Sequence, residues 1–305
     1  MFFCFRPLNL LNSILNFLIK GGSVQSVSVI VSVYNRLDYL RKALISIKHQ
    51  STVPAEVVIS DDGSAEPIVD FVKAMAAEFP FKIKLVLQKD LGFRLARCKN
   101  NAIRAASGDF LIFWDQDVVG TRAYLETYIK NRRPHVFLVA YPVRLTEEQT
   151  RQLSDDDIKK GVFDRLLTNE DIVKIYWQYR KDRFYYYLRR FVLRSETRPK
   201  LRGGFFAAFK KDLMRVNGFD ENYQGWGNED DDLGLRLYAS GVVGFNPFYD
   251  EFPVHLYHPP HHNDGKRVNQ QYYTERRQAI KKGDFRAQFG LDNSLGDDPV
   301  EILEF

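Results

Sequence analysis

The stretch "VSVIVSVYN", residues 27–35, decides the fold class. Its run of β-branched residues is typical of a strand that is buried on both faces. Similar apolar runs follow along the chain, each separated from the next by a helical pattern: "AEVVIS" (55–60), "KIKLVL" (82–87) and "DFLIFW" (109–114). Because strands alternate with helices, we predict an α/β fold in which helices flank a mostly parallel sheet.

The composition fits one large core that is interrupted by an insertion. The chain has 305 residues, of which 45% are hydrophobic, so it is neither disordered nor of low complexity. From about residue 146 to 200 the sequence becomes charged, helix-prone and rich in tyrosine, which predicts a helical insertion. Residues 176–194 hold six Arg or Lys against a single Asp, which indicates an anionic partner. Cys4 and Cys98 lack the spacing of a disulfide framework or a metal site, which favours a reducing compartment.

The two ends differ from the α/β region of residues 23–290. Residues 1–22 place asparagines on one helical face and leucines mostly on the other, which predicts an amphipathic helix lying in a membrane interface. A helix packed on the protein's own core or on a second subunit explains the same pattern. The polar residues 291–305 predict a loosely held C-terminal tail.

Acidic residues follow directly after the strand at 109–114. Asp115 and Asp117 lie where ligands bind in open α/β sheets, beyond the carboxyl ends of the strands. Two carboxylates one residue apart can hold a divalent ion against the phosphates of a ligand. His255 and His258, three apart in "VHLYH" (254–258), add imidazole ligands, which favours Mn²⁺ over Mg²⁺. A proline-rich surface loop is the alternative explanation for these histidines.

Asp61 and Asp62 end the second predicted strand and are candidates for nucleotide binding. A carboxylate at this position can accept hydrogen bonds from a base or from ribose hydroxyls. A turn that Asp opens and Gly63 closes is an equally good explanation for one of the two. Arg94, at the start of the following helix, is a candidate contact to the phosphates or the base.

The sequence gathers four carboxylates at residues 229–232, inside "GWGNEDDDLGLRLYASG" (225–241). One or two acids in the first turn of a helix satisfy its dipole and its free N–H groups, but four exceed that need. We interpret Glu229 and Asp230 as residues that take part in the reaction, and Asp231 and Asp232 as structural residues. Trp226 offers a flat apolar face to a sugar ring, although a core tryptophan would show the same sequence.

Five segments together resemble glycosyltransferase family 2 of the GT-A fold, a Rossmann-like architecture. They are "SVIVSVYNR" (28–36), "VVISDDGS" (57–64), "LGFRLARCKNNAIRAASGDFLIFWDQD" (91–117), "RGGFFAAFKKDLMRVNGFDENYQGWGNEDDDLGLRLYASG" (202–241) and "VHLYH" (254–258). The last two are similar to the C-terminal part of the β-1,4-galactosyltransferases and to bacterial polysaccharide synthases. The resemblance covers roughly residues 27–262, without the insertion.

The resemblance implies an inverting enzyme that uses a UDP-sugar and Mn²⁺. Carried over by motif position, Asp117 and His258 would be metal ligands, and Asp61 would contact the uracil. Gly203 and Gly204 would form the turn beneath the donor sugar.

For the acceptor side, the resemblance implies that Asp230 is the base and that Trp226 and Glu229 face donor and acceptor. The sequence departs from the galactosyltransferase pattern at two of these positions. His255 stands in place of a methionine, and Asn228 in place of a glycine in the tryptophan loop.

A further departure bears on the donor, because Leu201 stands where the galactosyltransferase pattern has a tyrosine that crowds the sugar's C2 substituent. A smaller leucine favours UDP-GalNAc or UDP-GlcNAc. We therefore expect a hexosyl or N-acetylhexosaminyl transferase in bacterial surface polysaccharide synthesis, peripheral at the cytoplasmic face of the cell membrane. Its acceptor would be an oligosaccharide or a lipid-linked glycan, with no nucleic-acid partner. The alternatives are a nucleotidyltransferase on a related sheet and a non-catalytic module that binds glycan or nucleic acid through the basic tyrosine-rich segment.

Overall fold

The computed structural model describes residues 26–188, 192, 198–259 and 268–305. Within these residues the strands are β1 (Val27–Val33), β2 (Glu56–Asp61), β3 (Lys82–Leu87), β4 (Phe110–Asp115), β5 (Val118–Val119), β6 (Val136–Val139), β7 (Val143–Arg144), β8 (Phe205–Phe209), β9 (Val243–Phe245), β10 (Val254–His255) and β11 (Glu301–Glu304). The helices are α1 (Leu37–Lys48), α2 (Ile68–Ala76), α3 (Leu95–Ala105), α4 (Tyr124–Asn131), α5 (Glu147–Gln152), α6 (Asp155–Lys160), α7 (Asn169–Leu188), α8 (Lys210–Arg215), α9 (Glu229–Ala239) and α10 (Gln270–Lys281).

A central sheet carries eight of these strands, in the order β11-β3-β2-β1-β4-β8-β6-β9. Strands β8 and β11 run antiparallel to their neighbours, and the other six share one direction. The predicted mostly parallel α/β sheet is therefore confirmed. Its register pairs Val33 with Asp61 and Ser32 with Asp115, which puts both of these carboxylates at the carboxyl edge of the sheet.

Strand β1 is buried on both faces, as its sequence predicts. Val29 and Val31 belong to one hydrophobic cluster, and Ile30, between them, belongs to the cluster on the opposite face. Burying one such side chain contributes about 1.5–3 kcal/mol, so a strand that is apolar on both sides holds two helical layers to the sheet. This strand fixes the frame from which the neighbouring strand ends project.

A second, three-stranded sheet, with the order β5-β10-β7, lies at the carboxyl side of β4. In it Val118 pairs with His255, and Val119 pairs with Val254. This short antiparallel pairing joins the segment that follows β4 to a segment far along the chain. It brings the two parts of the predicted metal site to the same place.

The predicted helical insertion, at about residues 146–200, contains α5, α6 and α7. The first two begin with capping boxes, in which Thr146 and Ser154 accept from the backbone N–H three residues on. In α7, Tyr179 is buried and its hydroxyl donates to the carbonyls of Tyr141 and Glu251. The insertion is thus packed onto the body of the fold.

The prediction of a loosely held tail at residues 291–305 is wrong. Strand β11 pairs with β3, with Glu301 opposite Leu87 and Glu304 opposite Lys84. Before that strand, Asp298 lies within 2.9 Å of Arg94 Nη1 and 3.0 Å of Arg97 Nη1. Hydrogen bonding and ion pairing to distant partners order this polar segment despite its low hydrophobicity.

The predicted amphipathic helix at residues 1–22 lies outside the described residues. Within the ranges that the structure describes, no helix is both long and apolar enough to cross a membrane.

Candidate active site

Asp117, His255 and His258 lie together, as the predicted metal site requires. The Nε2 atom of His258 is 3.2 Å from Asp117 Oδ2, and the Nε2 atom of His255 is 3.5 Å from Asp117 Oδ1. One ligand atom from each residue lies within 4.8 Å of the others. The β5–β10 pairing brings them together, and the Leu256 N–H reinforces it by donating to the Asp117 carbonyl at 2.8 Å.

The donor set fits a divalent transition-metal ion. The Asp117 side chain is buried, and its Oδ1 has no hydrogen-bond partner among the described residues. A buried carboxylate oxygen without a donor is costly unless a cation faces it. Burial raises the pKa of Asp117, but the hydrogen bond from His258 and the nearby charge of His255 hold it below its ordinary value. One carboxylate with two imidazoles suits Mn²⁺ better than Mg²⁺.

The glycine pair at 203–204 packs directly against the end of β4. A Cβ atom on Gly204 would stand 2.1 Å from Asp115 Oδ2, and one on Gly203 would stand 2.9 Å from Lys99 Nζ. The Asp115 carboxylate also accepts from the Ser32 hydroxyl at 3.3 Å and lies 3.5 Å from Lys99 Nζ. The turn therefore needs glycine because a carboxylate and a lysine occupy the space of its side chains.

Glu229 and Asp230 begin α9 on the other side of this turn. The Gly203 N–H donates to Asp230 Oδ2 at 3.3 Å, and the Asp231 N–H donates to Asp230 Oδ1 at 2.7 Å. Glu229 is 9% exposed, and its Oε2 has no hydrogen-bond partner within the described part of the chain. Burial, followed by the charge of the neighbouring carboxylate, raises the pKa of both acids, while Lys99 acts in the opposite direction.

The other two acids of the cluster have structural contacts, as predicted. Asp232 is fully buried, and its Oδ2 accepts from Arg236 Nε at 2.6 Å. Arg236 donates in addition to the carbonyls of Val216 and Gly218. Asp231 lies 3.2 Å from Lys200 Nζ.

The loop that carries Trp226 has an unusual backbone, with positive φ at Gly225, Gly227 and Asn228. Asparagine tolerates this left-handed conformation better than most residues, which explains how Asn228 can replace the glycine of the galactosyltransferase pattern. Asn269 ties the loop to the N-terminus of α10 by donating to the carbonyls of Gly225 and Gly227. Trp226 itself is 37% exposed, so part of its ring is open to a ligand.

Asp61 forms the turn that was the alternative to nucleotide binding. It accepts from the N–H groups of Gly63 and Ser64 and from the Ser64 hydroxyl. A cavity of about 540 Å³ opens beside it, lined in part by Leu87, Gln88 and Asp90. Asp61 is part of the lining of this cavity, and its contact to uracil stays a prediction.

Asp62 and Arg94 are engaged within the protein. The Arg94 N–H donates to Asp62 Oδ2 at 2.9 Å, the Gln88 amide donates to Asp62 Oδ1, and burial raises the pKa of Asp62 to about 7. The Arg94 guanidinium binds Asp298 and the Lys89 carbonyl. Any contact of Arg94 with a phosphate or base must therefore compete with this ion pair.

The structure places Leu201 in the core. Its side chain is 1% exposed and belongs to a core cluster beneath α9, where a Cβ atom on Gly234 would stand 3.0 Å from Leu201 Cβ. The position of Leu201 is determined by its packing against α9. The preference for an N-acetyl donor stays a prediction.

Lys99 is the site residue that the sequence analysis missed. It is 1% exposed and lies between Asp115 and the glycine turn, close enough for its charge to act on Glu229 and Asp230. A signal was present in the sequence: Lys99 comes three residues after Ala96 and four before Ile103, both buried. Lysine on an apolar helical stripe indicates a buried cation that needs carboxylate partners.

Residues 28–213 match the family model described as glycosyl transferase family 2, which covers more than half of the chain. The chain belongs to glycosyl transferase family 2. Residues 184–259 of this family 2 chain also match a model described as the N-terminal domain of galactosyltransferase. The family resemblance of the sequence motifs is thus confirmed.

Characterised relatives are glycosyltransferases and polysaccharide synthases. A validoxylamine A glucosyltransferase of Streptomyces hygroscopicus subsp. limoneus is 29% identical over 72% of this chain and 49% of its own length. A chondroitin synthase of Escherichia coli is 28% identical over 75% of this chain and 35% of its own length. The chain thus spans about half, or less, of the length of these two relatives. A GalNAc(5)-diNAcBac-PP-undecaprenol beta-1,3-glucosyltransferase of Campylobacter jejuni is 29% identical over 67% of this chain and 57% of its own length.

Two solved structures confirm the GT-A fold. Staphylococcus aureus TarS 1–349, in complex with UDP-GlcNAc, has a TM-score of 0.54 at 16% identity, over 88% of this chain and 68% of that chain. The mannosyltransferase PcManGT of Pyrobaculum calidifontis, in complex with GDP-Man and Mn²⁺, has a TM-score of 0.52 at 19% identity, over 95% of this chain and 72% of that chain. Because the two bound nucleotides differ, the fold alone does not select the donor base.

Proposed function

We propose that this family 2 chain is an inverting, metal-dependent glycosyltransferase that moves a hexose or an N-acetylhexosamine from a UDP-sugar to a hydroxyl of a glycan or lipid-linked acceptor in bacterial surface polysaccharide synthesis. One observation carries the proposal: the glycine turn touches Asp115 on one side and Asp230 on the other. A donor sugar seated on this turn would have the metal cluster near its diphosphate and a carboxylate near its acceptor.

The donor half rests on the carboxyl edge of the sheet. The nucleotide would occupy the cavity beside Asp61, and Asp117, His255 and His258 would hold the metal ion. When bound, Mn²⁺ would neutralise the charge of the leaving diphosphate. Two observations support this arrangement. The Oδ1 atom of Asp117 is buried and has no hydrogen-bond donor among the described residues. Solved structures of the same fold hold UDP-GlcNAc in one case and GDP-Man with Mn²⁺ in another.

The acceptor half rests on the first turn of α9. Asp230 would take the proton of the acceptor hydroxyl while the acceptor oxygen bonds to the sugar's anomeric carbon and the bond to the diphosphate breaks, which inverts that carbon. The backbone N–H groups of Gly203 and Asp231 hold the Asp230 carboxylate in place. Its raised pKa makes it a better proton acceptor than an ordinary aspartate. Glu229 would hold the acceptor, and Trp226 would stack on a sugar ring.

The proposal includes a place of action at the cytoplasmic face of the cell membrane, which rests on the two-faced pattern of residues 1–22. Deleting these residues should move the protein from the membrane to the supernatant without loss of turnover on a soluble acceptor. An inactive, aggregated truncation would instead indicate a helix that packs on the protein or on a second subunit.

A panel of UDP-sugars, assayed for Mn²⁺-dependent release of UDP, tests the reaction class. A nucleotidyltransferase would release inorganic diphosphate or phosphate from a nucleotide, and a binding module would release nothing. Asp117→Ala and His258→Ala should abolish the Mn²⁺-dependent turnover, whereas His135→Ala, which changes an exposed histidine bound to Asp212, should leave it unchanged. Wild-type turnover by either ligand variant at limiting Mn²⁺ would remove that residue from the metal site.

A further inference from the structure

A second cavity, of about 480 Å³, lies between α7, β7 and residues 198–205. It adjoins the site from the side of the insertion. The Phe205 ring at its rim has its centroid 6.1 Å from that of His255, and Arg202 directly precedes the glycine turn. Lys200, also in the lining, lies 3.2 Å from Asp231 at the start of α9. The cavity beside Asp61, in contrast, opens at the ends of β2 and β3.

The lining of this second cavity is strongly basic. Six cationic side chains face two carboxyls: Arg144, Lys174, Lys181, Arg198, Lys200 and Arg202, against Asp171 and Asp182. Among the described residues, Lys200 alone of the six has a carboxylate within 4 Å. A concave surface with this excess of positive charge concentrates its field on anions.

The two carboxyls offset only part of this charge, because they are two against six cations. Asp171 accepts from the Thr168 hydroxyl at 2.7 Å, at the start of α7. Asp182 is buried and accepts from the amides of Gln178 and Asn246, at 2.9 and 3.3 Å. The lining therefore keeps an excess of positive charge for an anionic ligand.

We propose that this basic cavity binds an anionic group of the acceptor, a carboxylate or a phosphate, and so positions the acceptor hydroxyl beside Asp230. The inference rests on the proposed function and deepens it. The diphosphate of the UDP-sugar is assigned to the cluster of Asp117, His255 and His258. The cations of the basic cavity therefore have no contact with the UDP-sugar in the proposed arrangement. The guanidinium group of arginine and the ammonium group of lysine are the side-chain groups that bind carboxylates and phosphates. The anion would come from a uronate sugar of a glycan or from the diphosphate of a lipid-linked acceptor.

The test uses the full chain and removes two exposed charges on α7. Lys174→Gln with Lys181→Gln removes both charges, keeps a polar side chain one atom shorter at each position, and touches none of the proposed catalytic groups. Binding is measured by calorimetry, in the presence of UDP and Mn²⁺, for a tetrasaccharide with one hexuronate, for the same tetrasaccharide with a neutral hexose, and for a short polyprenyl diphosphate disaccharide. The matched control is Arg180→Gln, on the same helix, whose guanidinium bonds the Tyr176 hydroxyl outside the cavity.

We expect the double variant to weaken the binding of one anionic probe by roughly five- to tenfold, a size typical of two exposed ion pairs. The probe that responds identifies the source of the anion, and the neutral tetrasaccharide and the control variant should show no change. High salt should reduce the difference between wild type and variant. The inference is wrong if neither anionic probe distinguishes the double variant from wild type, or if the affinity for UDP falls instead. Unchanged UDP-sugar hydrolysis by the variant would show that the proposed function survives such a failure.

Discussion

Asp230 and Asp232 lie two residues apart in the first turn of α9, yet they face opposite parts of the molecule. Asp232 is fully buried and bound to Arg236, which is itself fully buried. Asp230 is half-buried, points to the glycine turn, and within the described part of the chain receives only backbone N–H donors. Two residues along a helix correspond to a rotation of about 200°, so identical side chains separate into a core group and a site group.

The difference separates the proposed base from a structural carboxylate. Asp232 has an arginine partner within the same helix, four residues on, and its charge is used in holding the helix to the loop at 216–218. Asp230 has no arginine or lysine partner of this kind among the described residues. Burial raises the pKa of both aspartates, and the charge of Asp231 adds to the rise at Asp230, so the two differ in partner and exposure rather than in the direction of the pKa shift. A half-buried carboxylate without a bound cation can take a proton from a ligand.

The largest effect is expected from Asp230→Asn, which keeps the size of the side chain but cannot accept the proton. General-base assistance typically contributes roughly 10²–10⁴-fold, so kcat with a saturating acceptor should fall by about that range. Asp231→Asn, one residue on, should change kcat far less, because Asp231 contacts Lys200. Calorimetry should show unchanged affinity for UDP. Near-normal kcat would exclude Asp230 as the base, and lost UDP binding would make its role structural.

The same substitution at the core position, Asp232→Asn, should act on stability instead. It leaves Arg236 buried without its carboxylate, and removing one partner of a buried ion pair costs about 3–5 kcal/mol. Urea denaturation followed by circular dichroism measures the loss. Replacing Arg236 by Met in the same variant should restore part of the stability, because no unpaired charge remains. A stable Asp232→Asn protein with low kcat would reverse the assignments of the two aspartates.

The smallest effect is expected from Lys99→Met, which removes the positive charge that acts on Glu229 and Asp230. Lys99 lowers the pKa of Glu229 and of Asp230, so its removal should raise both. Because a general base works only when deprotonated, activity is lost as the pH falls through its pKa. The acidic limb of the kcat/KM profile should therefore move to higher pH in the variant. Lys84→Met, at a partly buried lysine near Glu56, serves as control. A limb that moves to lower pH would contradict the role given to Lys99.

The sheet and its strand ends could be predicted from the sequence because they depend on local patterns. The apolar runs and the residues that follow them determine which carboxylates stand at the carboxyl edge. Residue chemistry suggested Asp117, His255 and His258 as ligands, and the family resemblance supported Asp117 and His258. Their meeting could not be derived from spacing, since a two-residue strand pairing between distant segments leaves no periodic signal.

Two of the sequence inferences overlooked contacts between residues that lie far apart in the chain. Arg94 looked available for a phosphate, but its partner Asp298 lies about 200 residues further along the chain. Leu201 was assigned from a motif position, whereas the packing of α9 over Gly234 decides where its side chain points. Long-range partners of single side chains are not encoded in spacing, and they decide which polar groups remain free for a ligand.

The ion pairs between Asp298 and the arginines at 94 and 97 also bear on the order in which the chain is made. Asp298 follows Arg94 by 204 residues, and β11 follows its partner β3 by a similar interval. At a synthesis rate of about 5–20 residues per second, Asp298 is made roughly 10–40 s after the two arginines that it binds. During that interval the edge of β3 is open to pairing with other chains. The β3 edge of the sheet is therefore exposed to a chaperone or to aggregation until β11 has been made.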